Sequence, residues 1–312
     1  MKVKFWGVRG TVPCPGPGTA KYGGNSACIE LRTGDTDRVI IIDAGSGIRD
    51  LGNNLVRNHM HNGPLDIMLF LTHTHWDHIM GFPFFTPIYI PETRMKVYGP
   101  VTFEDDPLES VVGGQMKYRY FPVNVGELAS DIDYIRLKED PAIDLGDGLV
   151  LKTKILNHSI TVLGYRFEYR GKVLCTCYDC EPYRNLFVTD PQHPEYDEAM
   201  AEEGRLVADE QNVMLEEFFS GADLLIHDSQ YTEREYESKV GWGHSPIEYA
   251  VASAARAGVK KLALFHHDPD RSDEQLDALA ELYCRPGTFA DTEIFFAREN
   301  MVIDLEEPVT DQ

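Results

Sequence analysis

Short apolar runs of strand length, separated by turn residues, dominate much of the chain, and helical signals cluster late. Val3–Val8, Ala27–Arg32 and Val39–Ile42 read as strands, the last a continuous apolar run suited to a strand buried on both faces. Asp66–Thr72 and Met95–Tyr98 follow. A later series covers Leu149–Leu156, Val162–Tyr169 and Lys172–Tyr178, with turns expected at Gly164 and Gly171. Ala222–His227, Lys260–His266 and Thr292–Ala297 complete the strands. Ser245-Pro246-Ile247-Glu248 has the form of a capping box with proline at the first helical position, and Gly258 stands where that helix should stop. Ser272-Asp273-Glu274-Gln275 opens another helix in the same way, running to about residue 285, and Glu210–Ser220 reads as a third. One internal echo is visible: Leu69–His73 and Leu262–His266 are both apolar strands ending in histidine.

Many strands with interspersed helices predict a mixed α/β protein with a sheet-on-sheet core covered by helices. No Ser/Gly-rich linker divides the chain, so residues 1–312 are expected to form one domain. The stretch of about 101–143, where proline, glycine and acidic residues break any period, is the expected insertion.

Composition limits the function classes. Hydrophobic residues make up 43% and charged residues 26% of the chain, a proportion that supports a large core and argues against disorder. Six cysteines are too few for a disulfide scaffold. The first residues lack the apolar run of a signal peptide, and no stretch reaches the about 18 apolar residues that span a bilayer. A cytoplasmic protein without membrane attachment is the expectation. The net charge is −22 and uneven: residues 1–180 carry 21 acidic and 19 basic side chains, residues 181–312 carry 30 and 10. Such a surface offers no footprint for duplex nucleic acid and repels polyanions at long range. A small anion can still reach a locally positive pocket, above all one that holds metal ions.

The chemistry concentrates in His73-Thr74-His75-Trp76-Asp77-His78, at the end of a buried strand. Residues i and i+2 of an extended segment point the same way. His73 and His75 are therefore placed to grip one ion, while Asp77 and His78, beyond the bend, address another. Imidazole with carboxylate is a ligand set for Zn²⁺ or Mn²⁺.

These residues resemble the His-x-His-x-Asp-His signature of the metallo-β-lactamase superfamily, and the resemblance runs from the first strand to the last. Asp43-Ala44-Gly45-Ser46-Gly47 looks like that family's first motif, in which the aspartate is a buried support of the metal loop. His158 looks like its third histidine, Asp179 like the carboxylate that bridges two metals, and His266 like its last ligand. His267 also fits the last place, but the strand echo with His73 favours His266. The resemblance implies an αββα sandwich. It also implies two divalent ions, Zn²⁺ first, with Mn²⁺ or Fe also suitable. His73, His75, His158 and Asp179 would hold one, and Asp77, His78, Asp179 and His266 the other. His59, His61 and His193 lie outside the matching segments and are expected at the surface.

Ile226-His227-Asp228-Ser229-Gln230-Tyr231-Thr232 resembles a loop of ribonuclease Z and its phosphodiesterase relatives, in which a carboxylate partners a later histidine that protonates the leaving oxygen. Here Asp228 fits the carboxylate and His244 the histidine. The alternative for His244 is a plain residue ahead of a capped helix, and His227 reads as a core histidine. A helix N-terminus disfavours the imidazolium and a nearby carboxylate favours it, so His244 is expected near neutral pKa. Asp77 is expected to orient the attacking water as well as bind metal.

The resulting expectation is a metal-dependent phosphodiesterase acting on a small phosphodiester such as a cyclic nucleotide, with water activated between two ions. The alternatives are a ribonuclease Z-like endonuclease at RNA 3′ ends, a lactonase or thioesterase, and a non-catalytic nucleotide-binding protein. The chain shows no basic arm for RNA, and likeness to the ribonuclease Z branch suggests a homodimer. Phe82, Phe84, Phe85, Tyr118, Tyr120 and Phe121 are candidates to stack on a base, with the core as their alternative place. Arg9 and Lys21 are expected beside a mouth lined by the Gly10–Gly18 loop. Cys175 and Cys177 are expected in the core, and Cys180 close to the metals.

Overall fold

A computed structural model describes residues 1–34, 38–60, 63–102, 105–285, 287 and 291–306, so His61 lies outside the described residues. One sheet contains β1 (Lys2–Gly7), β2 (Cys28–Arg32), β3 (Val39–Ile42), β4 (Asp66–Phe70), β5 (Arg94–Pro100) and β6 (Asp131–Leu137) in chain order, with β14 (Val302–Asp304) beside β1. The other contains β7 (Asp140–Asp144), β8 (Leu149–Leu156), β9 (Val162–Tyr169), β10 (Lys172–Cys177), β11 (Leu224–Asp228), β12 (Lys261–Phe265) and β13 (Glu293–Phe296), again in chain order.

The two sheets repeat one pairing pattern. β1, β2 and β3 are antiparallel neighbours, and β3 to β6 run parallel. β8, β9 and β10 are likewise antiparallel, and β10 to β13 run parallel. Under this correspondence Asp43, after β3, matches Asp179, after β10. Both have left-handed backbones, with φ of 62° and 41°. The His73–His266 echo is not a symmetry mate in this sense, because β12 corresponds to β5 rather than to β4.

Each central strand feeds two cores, which explains the unbroken apolar runs. In β3, Ile40 and Ile42 point into the space between the sheets with Phe5, Phe70, Phe167 and Phe265, while Val39 and Ile41 face the outer layer. That layer is built by α1 (Ile48–Asn58), through Ile48, Leu51 and Leu55, and by the turns around Phe82 and Phe85. The metal-motif helix α2 (Trp76–Ile79) and α3 (Leu108–Gly113) belong to the same side. In β12, Ala263 and Phe265 point between the sheets, and Leu262 and Leu264 face the other outer layer. This second layer comprises α4 (Glu198–Phe219) and α6 (Ile247–Arg256), with the short α5 (Glu233–Tyr236) beside α6, and α7 (Asp273–Tyr283). The architecture is an αββα sandwich. Each buried Leu, Ile or Phe contributes about 1.5–3 kcal/mol, so the three cores together rigidify the strand ends that carry the chemistry. Among the described residues no helix is long and apolar enough to cross a membrane.

The segment expected as an insertion supplies α3 and one strand to each sheet, β6 on β5 and β7 on β8. Other local readings change. α4 begins at Glu198, well before the expected Glu210. α6 starts without a side-chain cap: Pro246 holds the N-cap position. Ser245 donates its hydroxyl to the Cys180 carbonyl, and Glu248 accepts from the Glu233 amide at the start of α5. The Ser272 capping box forms as expected.

Candidate metal centre

Parallel strands deliver their C-terminal ends to one edge, and in such sheets the crevice outside those ends is where ligands bind. At this edge β4 leads to the His73–His78 motif, β8 to His158, β10 to Asp179, β11 to Asp228 and β12 to His266. The structure brings all of them together. His73 Nε2 lies 3.0 Å from His75 Nδ1, and His158 Nε2 lies 3.2 Å from the same atom. Asp179 Oδ2 stands 3.3 Å from His73 Nε2. On the other side, His78 Nε2 and His266 Nε2 are 3.3 Å apart, each 3.1 Å from Asp179 Oδ1. Asp77 Oδ2 is 3.2 Å from His266 Nε2 and 3.3 Å from His78 Nε2. One carboxylate thus offers one oxygen to each of two four-donor clusters.

Tautomers are set from outside. His78 Nδ1 donates to Asp43 Oδ2 at 2.7 Å, His158 Nδ1 to the Gly243 carbonyl at 2.9 Å and His266 Nδ1 to Gln230 Oε1 at 2.9 Å. Thr72 donates its hydroxyl to Asp43 Oδ2, which leaves a lone pair to accept from His73 Nδ1 at 3.0 Å. These partners direct the Nε2 lone pairs of four histidines inward, the arrangement of imidazoles that ligate. A tetrahedral ion with ligands at about 2.0–2.1 Å keeps its donors about 3.3 Å apart, which the clusters match. Among the described residues no donor meets buried Asp179 Oδ1. Imidazole nitrogens and carboxylate oxygens converging in two such clusters fit divalent cations.

Electrostatics favours the neutral, ligating form at three of the imidazoles and the charged form at His78. Burial, reinforced by neighbouring imidazoles, pushes His75 and His158 down to about 4 and lowers His73, so all three stand neutral in the ligating form. Burial opposes the charge on His78 as well, but Asp179, Asp77 and Asp43 outweigh it and raise that pKa well above normal, so a divalent ion ligated by His78 Nε2 would have to replace a proton there. Burial also opposes ionised Asp77 and Asp179, and the surrounding histidines still hold both far below the usual carboxylate range.

The second constellation adjoins the first. His244 Nδ1 donates to Asp228 Oδ2 at 2.8 Å, and the His244 ring stacks on His266 with centroids 4.9 Å apart. Amides of Cys180 and Gln230 also donate to Asp228. Burial disfavours the His244 imidazolium, yet Asp228, then Asp179 and Asp77, raise it to about 9, above the near-neutral value expected from sequence. The physical reason is position: α6 begins only at Ile247, so its N-terminus is too far along to offset three carboxylates.

Other expectations separate. His266 enters the cluster, while His267 turns away and donates to the Ala297 carbonyl. Arg9 is fully buried and does not line the mouth: its guanidinium donates to the carbonyls of Gly23, Asp268 and Arg271. Lys21 is exposed and pairs with Asp277. The loop after Arg9 does reach the site, where the Thr11 amide donates to Asp77 Oδ2 at 2.7 Å. Phe82 and Phe85 are core residues, whereas Phe84, Tyr118 and Tyr120 are exposed. Cys175, Cys177 and Cys180 pack in the helix-side core. His227 is buried, His59 half-buried and His193 exposed. Sequence reasoning overlooked Gln230, Thr72 and the Gly243 carbonyl, although Gln230 sits in the very loop that carries Asp228.

Two glycines are required by close approach. A Cβ on Gly10 would stand 2.3 Å from His266 Nδ1, and one on Gly243 only 2.1 Å from His158 Nδ1. Gly243 also has φ of +85°, which side chains rarely adopt. Gly243→Ala is expected to displace His158 and weaken metal binding by about 10–100-fold, the usual cost of losing a histidine's orienting partner. Chelator competition against the unaltered protein checks it.

Ribonuclease Z of Synechococcus sp. (strain CC9311) is 27% identical over 298 residues, covering 86% of this chain and 88% of that protein. Human tRNase Z, short form, superposes with a TM-score of 0.61 at 20% identity, covering 99% of this chain and all of that one at 100%. The metallo-beta-lactamase fold protein YhfI from Bacillus subtilis gives 0.62 at 17% identity, covering 97% and 98%. At these identities the two structures speak to the fold alone. The profile of the metallo-beta-lactamase superfamily matches residues 22–179, from ahead of β2 through the His73–His78 motif to Asp179. The chain belongs to the metallo-beta-lactamase superfamily.

Proposed function

We propose that the protein is a metal-dependent hydrolase of phosphodiesters, with a small, base-bearing diester as its substrate. His73, His75, His158 and Asp179 would hold one divalent ion, and Asp77, His78, Asp179 and His266 a second, with Zn²⁺ the best match to these donors. Ions held there would polarise phosphoryl oxygens and lower the pKa of water. The observation that carries the reading is the Asp228–His244 pair beside Asp179 and His266. With Nδ1–H committed to Asp228, Nε2 is the nitrogen of His244 that delivers a proton to the departing oxygen. Asp77, whose Oδ2 is steadied by the Thr11 amide, orients the attacking water. An alkoxide is a poor leaving group without such a proton, so the pair suits ester cleavage at phosphorus.

Two features support a small substrate. The net charge of −22 opposes a long polyanion. Trp76, between His75 and Asp77 in the chain, is 78% exposed, and Trp242, two residues before His244, is 58% exposed. Both adjoin candidate site residues in the chain, and Trp76 offers an exposed face suited to a nucleobase, while Lys239 Nζ lies 3.9 Å over the Trp242 ring.

The second reading, cleavage at RNA 3′ ends, is favoured by similarity to ribonuclease Z over most of both chains. Salt separates the two. A single strand held through four phosphates loses about 50-fold in affinity from 50 to 200 mM salt. For the zinc-loaded protein we expect kcat/KM on 3′,5′- and 2′,3′-cyclic nucleotides to change less than about threefold over that range. Turnover of an unstructured RNA alone, with the steep slope, would overturn the small-substrate reading in favour of the second.

A further inference from the structure

Resting on the assignment of His244 as the proton donor, we propose that Glu181 is the positioning residue of that acid, a carboxylate that locks the loop carrying His244 onto the bridging aspartate's strand. The loop has little stiffness of its own. Between α5 and His244 it contains Gly241 and Gly243, both with positive φ, of +88° and +85°. Glu181, only 5% exposed, gathers its free donors. The Tyr236 hydroxyl and the Gly241 amide both donate to Oε1 at 2.6 Å, and the Gly243 amide donates to Oε2 at 3.0 Å. Among the described residues no ion pair neutralises this carboxylate, so these three neutral donors are what keep it tolerable where it is buried.

The clamp is joined at both ends to the site. Asp179, Cys180 and Glu181 are consecutive. The Cys180 carbonyl accepts from Ser245, and Glu181 accepts from Gly243, so residues 180 and 181 grip the neighbours of His244 on both sides. The Cys180 amide also holds Asp228. Main-chain Glu181 pairs with Asn157, the residue before His158: its amide donates to the Asn157 carbonyl at 2.9 Å, and Asn157 Nδ2 returns a bond to its carbonyl at 3.1 Å. Gly243, held by Glu181, in turn accepts from His158 Nδ1. Glu181 thereby fixes the separation between the acid and the scissile bond without touching substrate.

Glutamine is the informative substitution, because it keeps shape and volume but has one acceptor oxygen. It can satisfy Tyr236 and Gly241 or Gly243, and its NH₂ then faces an N–H on the other side. The experiment compares Glu181→Gln, His244→Ala and the unaltered protein, all zinc-loaded, on methyl aryl phosphodiesters whose leaving groups run from dinitrophenol to phenol. A leaving group as good as dinitrophenolate needs no proton, whereas phenolate does. We expect Glu181→Gln to lose less than threefold in kcat on the dinitrophenyl ester and about 10–100-fold on the phenyl ester, steepening the leaving-group dependence toward that of His244→Ala. With zinc in excess, its metal content should stay within error of the unaltered protein, and the amides of residues 237–244 should exchange with deuterium at least about tenfold faster. A uniform loss across the esters, an unchanged slope beside a steep His244→Ala slope, or unchanged exchange would each overturn the role of Glu181 alone. An unchanged slope in His244→Ala would overturn the acid assignment, and this inference with it.

Discussion

Asp179→Asn is expected to empty both candidate ion positions at once, whereas His75→Ala should impair one far more than the other. Asp179 alone offers an oxygen to each cluster, Oδ2 toward His73 and Oδ1 toward His78 and His266. Asparagine tolerates the left-handed backbone at this position, so the change tests ligation rather than folding. It removes the negative charge, and its NH₂ must face one group of imidazole lone pairs. Loss of an orienting partner outside the ligand sphere already costs about 10–100-fold in affinity, so losing the shared ligand should cost more at both positions. Metal analysis after equilibrium dialysis with zinc should fall from the two ions per chain that the proposal requires to well below one. The thermal midpoint should also stop responding to added zinc, because ligand-linked stabilisation needs a site that only the folded state has. Retention of one ion at near-original affinity would show that Asp179 does not bridge.

How much of this could be read in advance follows from where the physical signal sits. β3, β8 and β9 have the expected limits because each has an unbroken or regularly alternating apolar pattern bounded by turn residues. The His73–His78 motif stood out because four ligating side chains within six residues have no structural purpose on a turn. α1 was not foreseen: Ile48, Leu51 and Leu55 form its buried stripe, but Gly52, Asn53 and Asn54 lower its intrinsic propensity, and packing overrides that. α4 was read at half its length because Gly204 breaks the pattern, although that glycine is buried where Asn185 and Phe187 leave no room for a Cβ. β6 and β7 were hidden by acidic residues on their exposed faces.

The site divides along the same line. Candidate ligands that follow apolar strands were legible one by one, since a histidine or aspartate at a buried strand end is conspicuous. The partners that aim them were not. Gln230, the Gly243 carbonyl and Glu181 act through hydrogen bonds between segments distant in sequence, and nothing in their local spacing signals that. Arg9 shows the converse. A cation beside a glycine-rich loop suggests an anion-facing mouth, but three carbonyls from two other segments must be satisfied, and Arg9 has the donors to do it. Ser245 has the local form of a helix cap, and the fold spends its hydroxyl on Cys180 instead.

His244→Ala should lower kcat on a substrate with an alkoxide leaving group by about 10²–10⁴-fold while leaving metal content unchanged. That range corresponds to about 2.7–5.4 kcal/mol of transition-state stabilisation. The separation of the two readouts follows from geometry. All four imidazoles whose Nε2 points inward keep their outer partners when His244 is truncated, because those partners are Asp43, Thr72, Gly243 and Gln230. What disappears is an imidazole outside the two clusters that Asp228 orients, together with its stacking on His266. Asp228→Asn supplies the graded control. It keeps an acceptor for Nδ1–H but removes the charge that favours the imidazolium, so its loss in kcat should be smaller than that of His244→Ala, and the double variant should lose little more than His244→Ala alone, since residues acting as a unit are not additive. Metal analysis, kcat and KM on the same preparations decide the matter. If zinc content falls in step with kcat, His244 belongs to the ligand set around Asp179, and the proton must come from elsewhere.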